Sequence, residues 1–258
     1  MSGVLSFWSQ RLRKHGHTGW ADPVVYAYDQ LERLKLIEAE LSKRPIKGGN
    51  ALDFGCGSGD FSKLLLSMGF RVCGYDPFVK PRIRSGQFTY ASTYERIPFR
   101  NHAADLALTV TTLDHILEER DLLNALGTIR DCLKESAVFY MLEYALDIAA
   151  DRIKFGLKNN YQSFRTVSEW MELLALNSFR VLDVARVSHP VISPSSGYIA
   201  YSRTPLVRIR RRYPHWPLAR FWYDRLLKWQ AAKLVPKAPL TSEFNSDSPL
   251  KLIRCLPT

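Results

Sequence analysis

Hydrophobic residues change their spacing twice between residues 51 and 77. Ala51 to Phe54 is a short apolar run that predicts a buried strand, and it contains one acid, Asp53. From Phe61 to Met68 the apolar residues recur at helical spacing, and a second short run, Arg71 to Tyr75, is soon followed by a proline. The pattern predicts a strand, a turn, a helix and a second strand, which is the first half of an α/β unit with parallel strands.

The turn between this strand and this helix has glycine at every second position, at Gly55, Gly57 and Gly59. Glycine permits backbone conformations with positive φ and allows a ligand to approach the main chain closely. The helix that follows presents free N–H groups at its N-terminus. Asp76, at the tip of the second strand, is placed to accept hydrogen bonds from both hydroxyls of a ribose. The sequence therefore predicts a ligand that carries a ribose.

The glycine spacing decides between classes of ribose ligand. A dinucleotide fingerprint has the spacing G-x-G-x-x-G and binds a pyrophosphate at the helix. Here the third glycine comes one residue earlier, and Asp53 precedes the turn. A carboxylate beside the start of a helix repels phosphate but favours an ammonium or a sulfonium cation. A dinucleotide oxidoreductase is therefore disfavoured.

The stretch from Asp53 to Gly59 resembles motif I of the class I S-adenosylmethionine (SAM) dependent methyltransferases, in which an acid and one further residue precede G-x-G-x-G. Downstream, Ile97–Phe99 resembles the "LPF" sequence of the family. At the usual spacings, three further segments resemble the fourth, fifth and seventh strands of the family: Asp105–Thr109, Ala137–Tyr144 and Leu250–Leu256. The resemblance is closest to the small-molecule, ubiquinone-pathway-like branch.

The resemblance implies an α/β fold, a Rossmann-like sheet of seven mostly parallel strands with helices on both faces and an antiparallel last strand. With 258 residues, of which 46% are hydrophobic, the chain is long enough for one such core. We expect a helical cap segment at residues 1–45 and the methyltransferase domain at residues 46–258. Within that domain we expect a basic helical insertion at about residues 203–240.

The resemblance also implies SAM as the cofactor and gives a role to each residue that matches the family pattern. The main chain of Gly55, Cys56 and Gly57 would hold the methionine portion, and Asp53 would hold its ammonium group. Asp76 would bind the ribose.

The remaining cofactor residues follow from the same resemblance. Pro77 would pack beside the adenine. Thr93 and Tyr94 stand where the family commonly has an acid that touches the adenine amine, so a hydroxyl or a main-chain group would replace that acid. Thr109 and Val110 end the fourth strand, where the backbone of the family meets the methionine portion.

His115 is the candidate catalytic base. It follows Asp105 by ten residues, and Asp114-His115 stands where the family often has Glu-His after this strand. Histidine titrates near neutral pH and suits the removal of a proton from a hydroxyl acceptor. The alternative is a structural role at the rim of the site, where Glu143 and Tyr144 are also expected. No cluster of residues has metal-ligand spacing, so no metal site is expected.

Aromatic and histidine side chains are dense ahead of a predicted amphipathic helix at Leu31–Leu41. N-terminal segments of the family often cover the SAM site. These side chains therefore either face the sulfonium, through cation–π attraction, or pack on the sheet. They are His15, His17, Trp20, Tyr26 and Tyr28.

The predicted insertion is strongly basic. Residues 203–237 contain seven arginines, three lysines and one acid, so most of the formal net charge of +11 lies there. One face of a predicted helix in this region carries Leu218, Phe221, Trp222, Leu226 and Trp229. Such a helix is typical of contact with a membrane surface or an anionic acceptor, or else packs on its own domain with a solvated basic face.

Four scattered cysteines favour a reducing cytoplasm, the first ten residues lack the layout of a signal peptide, and no apolar run is long enough to span a bilayer. We expect a cytoplasmic enzyme, or one peripheral at the inner face of the membrane, that methylates oxygen in a small molecule or in a glycan or lipid-linked intermediate. The alternatives are an RNA or other nucleic-acid methyltransferase that uses the basic insertion, and a non-catalytic SAM-binding protein. Nucleic acid is the less favoured partner, because "TVTTLDHI" after the fourth strand lacks the Asn/Asp-Pro-Pro-Tyr of enzymes that methylate base amines.

Overall fold

The computed structural model describes residues 2–43, 48–99, 101–154, 161–212, 217–235 and 248–258. It describes the backbone alone for residues 2–6, 152, 154 and 217–221, so the side chains predicted at Leu218 and Phe221 lie outside the description. The predicted boundary at residues 45–46 and the predicted end of the insertion near residue 240 also lie outside the described residues.

Eight strands form the sheet: β1 (Gly49–Phe54), β2 (Phe70–Tyr75), β3 (Phe88–Ala91), β4 (Ala104–Val110), β5 (Leu133–Leu146), β6 (Arg165–Thr166), β7 (Phe179–Val187) and β8 (Leu250–Pro257). The main path has the order β3-β2-β1-β4-β5-β8-β7, and β6 pairs with β5. Neighbours from β3 to β5 are parallel, whereas β8 runs antiparallel to both β5 and β7. The prediction of a mostly parallel Rossmann-like sheet with an antiparallel last strand is confirmed.

The α-helices are α1 (Ser2–His15), α2 (Pro23–Ser42), α3 (Asp60–Ser67), α4 (Glu119–Cys132), α5 (Asp151–Lys154), α6 (Val167–Leu176), α7 (Ser196–Ser202), α8 (Pro205–Arg212) and α9 (Pro217–Leu234). Short 3-10 helices occupy Tyr94–Arg96 and Leu113–His115. Helix α2 begins eight residues before the helix predicted at Leu31. The reason is local: the Asp22 side chain accepts a hydrogen bond from Val24 N, and Pro23 suits the first turn.

The core lies in two layers, one on each face of the sheet. Successive residues of β5 alternate between them, because side chains of a strand point to opposite faces. Phe139 packs with α4 and α6 on one face, and Tyr140 packs with α2 and α3 on the other. A third apolar cluster joins α2 to α7, α8 and α9, with Tyr28 and Leu227 among its members. The C-terminal helices therefore rest on an N-terminal helix.

The ends of β1, β2, β4 and β5 meet at one edge of the sheet. Parallel strands bring their carboxyl ends together, and ligands of such sheets bind outside that edge. The glycine turn, Asp76, the 3-10 helix that ends at His115, and the end of β5 all lie there. Within the described residues, no helix is long and apolar enough to cross a membrane.

Candidate active site

The glycine turn joins β1 to α3 and lies against two other segments of the chain. Gly55 and Gly57 have φ angles of +83° and +49°, which residues with a side chain rarely adopt. A Cβ atom at Gly55 would overlap the Thr112 side chain, and one at Gly57 would lie 2.5 Å from Thr18 Oγ1. The main chain from Gly55 to Gly57 thus forms a cradle, which a side chain would fill. Glycine leaves this main chain open to close contact with a ligand.

Asp76 ties this turn to the loop after β2. Its Oδ2 accepts a hydrogen bond from Gly57 N at 3.0 Å, and its Oδ1 accepts from Phe78 N and Val79 N at 2.8 Å each. Burial raises the pKa of Asp76, and these three N–H donors act in the opposite direction. The structure thus brings together the glycine cradle and the carboxylate that the sequence predicted, with the exposed Pro77 beside them.

Asp53 is buried beneath the turn. Its Oδ2 accepts a hydrogen bond of 2.5 Å from Ser62 Oγ, in the first turn of α3. Burial raises the pKa of Asp53 to about 7, with the charge of Asp76 adding to the rise. The carboxyl group therefore changes its charge near neutral pH at the position predicted for binding an ammonium group.

Cys56 lies in the same turn and contributes main chain. Its N–H donates to Tyr75 O at 2.9 Å, and burial raises the pKa of its thiol. A thiol with a raised pKa carries little thiolate, so Cys56 is not a nucleophile at neutral pH. All four cysteines are buried and none forms a disulfide, consistent with small apolar core residues.

Thr93 and Tyr94 begin the 3-10 helix after β3. Thr93 is exposed at its start, and the ring of Tyr94 packs 5.1 Å from Tyr75 and 5.9 Å from Phe54. An aromatic wall therefore stands beyond the tips of β1 and β2, on the side where adenine is expected.

Thr109 and Val110 end β4 next to the glycine turn. The Thr109 side chain is buried, and Oγ1 has no hydrogen-bond partner among the described residues, so the residue faces the core. Val110 O accepts from Thr112 Oγ1 at 3.2 Å. At these positions the main chain, and not the Thr109 side chain, is therefore the part that could face a ligand.

Glu143 fixes the loop that follows β4. Its carboxyl group accepts from Thr112 N at 3.0 Å and from Leu113 N at 3.1 Å. Burial raises the pKa of Glu143 well above its usual range, and the charge of nearby Asp114 raises it further. Two buried carboxyl groups in contact thus hold the loop that carries His115. Among the described residues, no group of acids, histidines and cysteines is arranged to bind a metal ion.

His115 is held in one tautomer. Its Nδ1 lies 2.7 Å from Tyr161 O, and because a carbonyl oxygen only accepts, Nδ1 carries the proton. The neutral ring therefore keeps its lone pair on Nε2, the form a base needs. Nε2 lies 3.7 Å from Asp114 Oδ1, and the Trp8 ring meets the imidazole edge-on at 4.7 Å. The contribution of Trp8 and Tyr161 was not visible in the sequence, because neither is near His115 along the chain.

The N-terminal segment lies over both ends of the site. Trp8 covers His115, and Thr18 covers Gly57. Tyr26 Oη donates to Asp60 Oδ2 at 2.8 Å at the start of α3, and the ring of His17 stacks on Tyr26. The aromatic side chains predicted to lie ahead of the amphipathic helix do not stay together in the structure. Tyr26 lies at the site, whereas Tyr28 packs with α7 away from it.

A buried polar cluster, which we name the α2 cluster, lies beyond the end of β5 and consists of Trp20, Asp29, Arg33, Tyr144 and His189. Asp29 Oδ2 binds Arg33 Nε at 2.9 Å and Trp20 Nε1 at 2.8 Å. Arg33 Nη1 lies 3.4 Å from Thr111 Oγ1 in the loop after β4. The cluster thus links α2 to the same loop that precedes His115.

Within the α2 cluster the direction of one hydrogen bond is fixed. His189 Nδ1 accepts from Ile192 N at 3.0 Å and Val191 N at 3.3 Å, so it carries no proton. Burial, with the charge of Arg33, lowers the pKa of His189 to about 3, so the ring is neutral and Nε2 carries the hydrogen. Nε2 therefore donates to Tyr144 Oη at 2.8 Å, which leaves the hydroxyl hydrogen of Tyr144 for another acceptor.

Most of the α2 cluster was missed by the sequence. One signal was present: Asp29 and Arg33 are four residues apart on α2, at the spacing of an ion pair on one helix face. No such signal exists for His189, which lies in the loop after β7 and reaches Tyr144 only through the fold.

A family model described as a methyltransferase domain matches residues 26–183, more than half of the chain. No curated protein matches the sequence.

Solved structures share the fold over most of the chain. The 1,6-didemethyltoxoflavin-N1-methyltransferase of Burkholderia thailandensis, with 1,6-didemethyltoxoflavin and S-adenosylhomocysteine bound, is 15% identical with a TM-score of 0.57, covering 100% of this chain and 88% of that one. Phosphoethanolamine N-methyltransferase 2 of Haemonchus contortus, with SAM bound, is 14% identical with a TM-score of 0.57, covering 97% and 60%. The cyclopropane synthase MmaA2 of Mycobacterium tuberculosis is 12% identical with a TM-score of 0.54, covering 88% and 84%. The TM-scores show that these proteins share the fold of this chain.

Proposed function

The chain belongs to the methyltransferase domain family and is a SAM-dependent methyltransferase, and we propose that it methylates an oxygen atom of a small molecule, or of a glycan or lipid-linked intermediate. One observation carries the proposed SAM site. Gly57 N donates to Asp76 Oδ2 at 3.0 Å, so a glycine cradle and a ribose-binding carboxylate are held side by side. When bound, SAM supplies a methyl group already activated on a sulfonium, so the protein's share of the rate comes mainly from positioning.

We assign cofactor binding to the residues at the carboxyl ends of β1, β2 and β4. Asp76 would accept both ribose hydroxyls, since each carboxylate oxygen has more than one lone pair. The turn from Gly55 to Gly57 would hold the methionine portion, with Asp53 beneath it for the ammonium group. Tyr94 and Pro77 would flank the adenine, and Thr109 and Val110 would present main chain.

We propose that His115 removes the proton of the acceptor hydroxyl. Its Nδ1–H donates to Tyr161 O, which supports this role because the Nε2 lone pair is then kept for the acceptor. Asp114 lies beside Nε2, where its negative charge would stabilise the imidazolium that forms. The positive charge would thus be balanced without a metal ion.

Tyr144 is proposed to orient the acceptor. Since His189 donates to Tyr144 Oη, the hydroxyl hydrogen of Tyr144 is left to donate to an oxygen of the acceptor. An oxygen acceptor suits this donor, and the buried Arg33 and Asp29 would hold further polar groups of the substrate. The relatives with solved structures include N-methyltransferases and a cyclopropane synthase, so the acceptor atom does not follow from the fold.

The arrangement also supports the proposed domain organisation. Trp8 and Thr18 lie over His115 and Gly57, as a cap formed by residues 1–45 would require, and excluding water would favour transfer to the acceptor. We place the enzyme in the cytoplasm, with peripheral contact at the inner face of the membrane as a separate proposal.

Transfer of a labelled methyl group tests the function. The protein is incubated with methyl-labelled SAM and a cell extract separated into water-soluble metabolites, glycans, lipids and RNA. We expect label in one of the first three fractions, on a methyl group bonded to oxygen, which its NMR chemical shift distinguishes from a methyl group bonded to nitrogen. Label in RNA would favour the nucleic-acid alternative, and SAM binding without transfer to any fraction would favour the non-catalytic one. Binding of NAD in place of SAM would overturn the assignment altogether.

A further inference from the structure

Helix α9 has two apolar faces, of which one is buried and the other is exposed in the described part of the chain. Leu227, Ala231 and Val235 recur every four residues and are buried against α2 and its neighbours. Trp222, Leu226 and Trp229 lie on the opposite face with 64%, 46% and 58% of their surfaces exposed. The sequence had placed these three residues on one face, and the structure turns that face to solvent.

The surroundings of this exposed stripe are basic. Arg225 and Lys233 of α9 are exposed around it, with Lys233 Nζ 3.6 Å from the centre of the Trp229 ring. Exposed arginines of the adjacent α8, at Arg208, Arg211 and Arg212, extend the charge, and so does the exposed Arg203 at the end of α7. The single acid of the two helices, Asp224, lies 3.4 Å from the buried Arg210 and partly offsets its charge. We call this combination of stripe and charges the α8–α9 surface.

We infer that the α8–α9 surface docks the enzyme onto an anionic phospholipid bilayer. Tryptophan is enriched at the level of lipid headgroups, and leucine between two tryptophans can enter the acyl boundary. Lysine and arginine beside such a stripe are attracted to anionic lipids. A nucleic acid would match the charge but gives no reason for an exposed leucine in the stripe, so a bilayer fits the surface better.

Docking would not disturb the sheet, because α9 is attached through its other face. The buried face packs on α2, and Lys35 Nζ of α2 donates to Val235 O at 3.0 Å. Helix α2 also carries Asp29 and Arg33 of the α2 cluster, so the surface lies one helix away from the proposed acceptor end. The inference stands without the assignment of SAM residues, and it deepens the proposed function by favouring a lipid-linked acceptor.

The test is co-sedimentation of the full chain with vesicles of phosphatidylcholine plus phosphatidylglycerol, and with vesicles of phosphatidylcholine alone. Wild-type protein should bind the anionic vesicles and should dissociate from them at raised salt, since salt screens exposed charges. The charge variant Arg208→Ser, Arg211→Ser, Arg212→Ser should weaken that binding on the order of 100-fold. The stripe variant Trp222→Ser, Leu226→Ser, Trp229→Ser should weaken it at least about 10-fold.

Matched controls separate docking from net charge and hydrophobicity. Arg71→Ser, Arg120→Ser, Arg180→Ser removes three exposed arginines elsewhere, and Met171→Ser, Leu176→Ser removes an exposed apolar pair on α6. Both controls should sediment like the wild type. SAM titration and melting temperature are measured for every protein, and the charge variant, which changes only exposed residues, decides the test if the stripe variant unfolds.

Three results would overturn the inference. The wild type could ignore anionic vesicles, or the arginine control could lose binding as fully as the charge variant. The third is preferential binding of an RNA oligonucleotide that the charge variant loses while vesicle binding is unaffected. Because SAM affinity is read separately, loss of vesicle binding with normal SAM binding tests the surface alone, and loss of SAM binding tests the proposed function.

Discussion

The proposed cofactor half and the proposed acceptor half of the site are built in different ways. Most of the proposed cofactor half comes from one stretch of chain, residues 53–79, in which main-chain N–H groups donate hydrogen bonds to Asp76. The acceptor half joins side chains from α2, the loop after β4, β5 and the loop after β7, through Arg33, Tyr144 and His189. A local, main-chain site tolerates little change of backbone, whereas a dispersed, side-chain site depends on packing between distant segments.

This difference implies that mutations should be able to remove the function of one half without affecting the other. Damage to the glycine turn should remove SAM binding, and damage to the acceptor half should lower turnover with SAM binding intact.

The largest effect is expected for Gly57→Val. Valine would meet Thr18 and would have to adopt a φ of +49°, so we expect SAM affinity to fall at least about 1000-fold. Calorimetric titration with SAM measures the loss. Gly86→Val is the control, since a Cβ at the exposed Gly86 meets nothing within 4 Å. Equal SAM affinity in both variants would contradict the cradle.

His115→Gln should lower turnover roughly 10²-fold to 10⁴-fold, because glutamine cannot take the acceptor proton. SAM affinity should stay within about threefold of wild type, since the lost group would act on the acceptor. The control is His102→Gln, because His102 Nδ1 also lies 2.8 Å from a carbonyl oxygen, that of Leu133, but on the exposed surface. Single-turnover rates with the acceptor found by label transfer give the measurement, and a near-normal rate would return His115 to a structural role.

Tyr144→Phe should lower kcat/KM for the acceptor about 10-fold to 100-fold, which corresponds to the loss of one buried hydrogen bond to the substrate. The expected change lies in kcat/KM and not in SAM affinity. Tyr201→Phe serves as the control, since Tyr201 is equally buried but belongs to the cluster around α7. If both variants behave alike, Tyr144 only fills space.

The smallest effect is a dependence on pH that comes from Asp53. Its pKa of about 7 in the folded protein lies above the ordinary value of 3.8, so its contribution to stability is present below pH 4 and is lost as pH rises through 7. As pH rises from 5 to 8, ionisation of the buried Asp53 should lower the free energy of unfolding by about 2–3 kcal/mol. In Asp53→Asn this decrease is absent, and urea unfolding at the two pH values measures the difference.

The same titration sharpens the role of Asp53 in the cofactor half. If the ionised carboxylate holds the ammonium group of SAM, the affinity of the wild type for SAM should increase as pH rises through 7. Asp53→Asn should show a flat profile over that range. A flat profile in the wild type as well would leave Asp53 as a partner of Ser62 alone.

The sequence by itself determined the sheet and the cofactor half. Alternation of apolar runs with helical spacing is a local property, and the glycine turn and Asp76 are separated by fewer than twenty residues of one strand–turn–helix–strand unit. The strand order confirms the sheet and the family match confirms a methyltransferase domain, whereas the residues of the cofactor half stay a prediction. Helix α2 was predicted too short because residues 24–28 form a continuous apolar run without helical spacing, although Asp22 and Pro23 were a readable start.

The tertiary structure alone decided the acceptor half and the outer face of α9. Tyr161 reaches His115 across 46 residues and His189 reaches Tyr144 across 45, so no spacing along the chain encodes these contacts. For α9, the sequence offers apolar residues on opposite faces, and the fold chooses the face of Leu227 because it fits the cluster on α2. Local patterns follow from backbone geometry, whereas the pairing of distant side chains depends on how the whole chain packs.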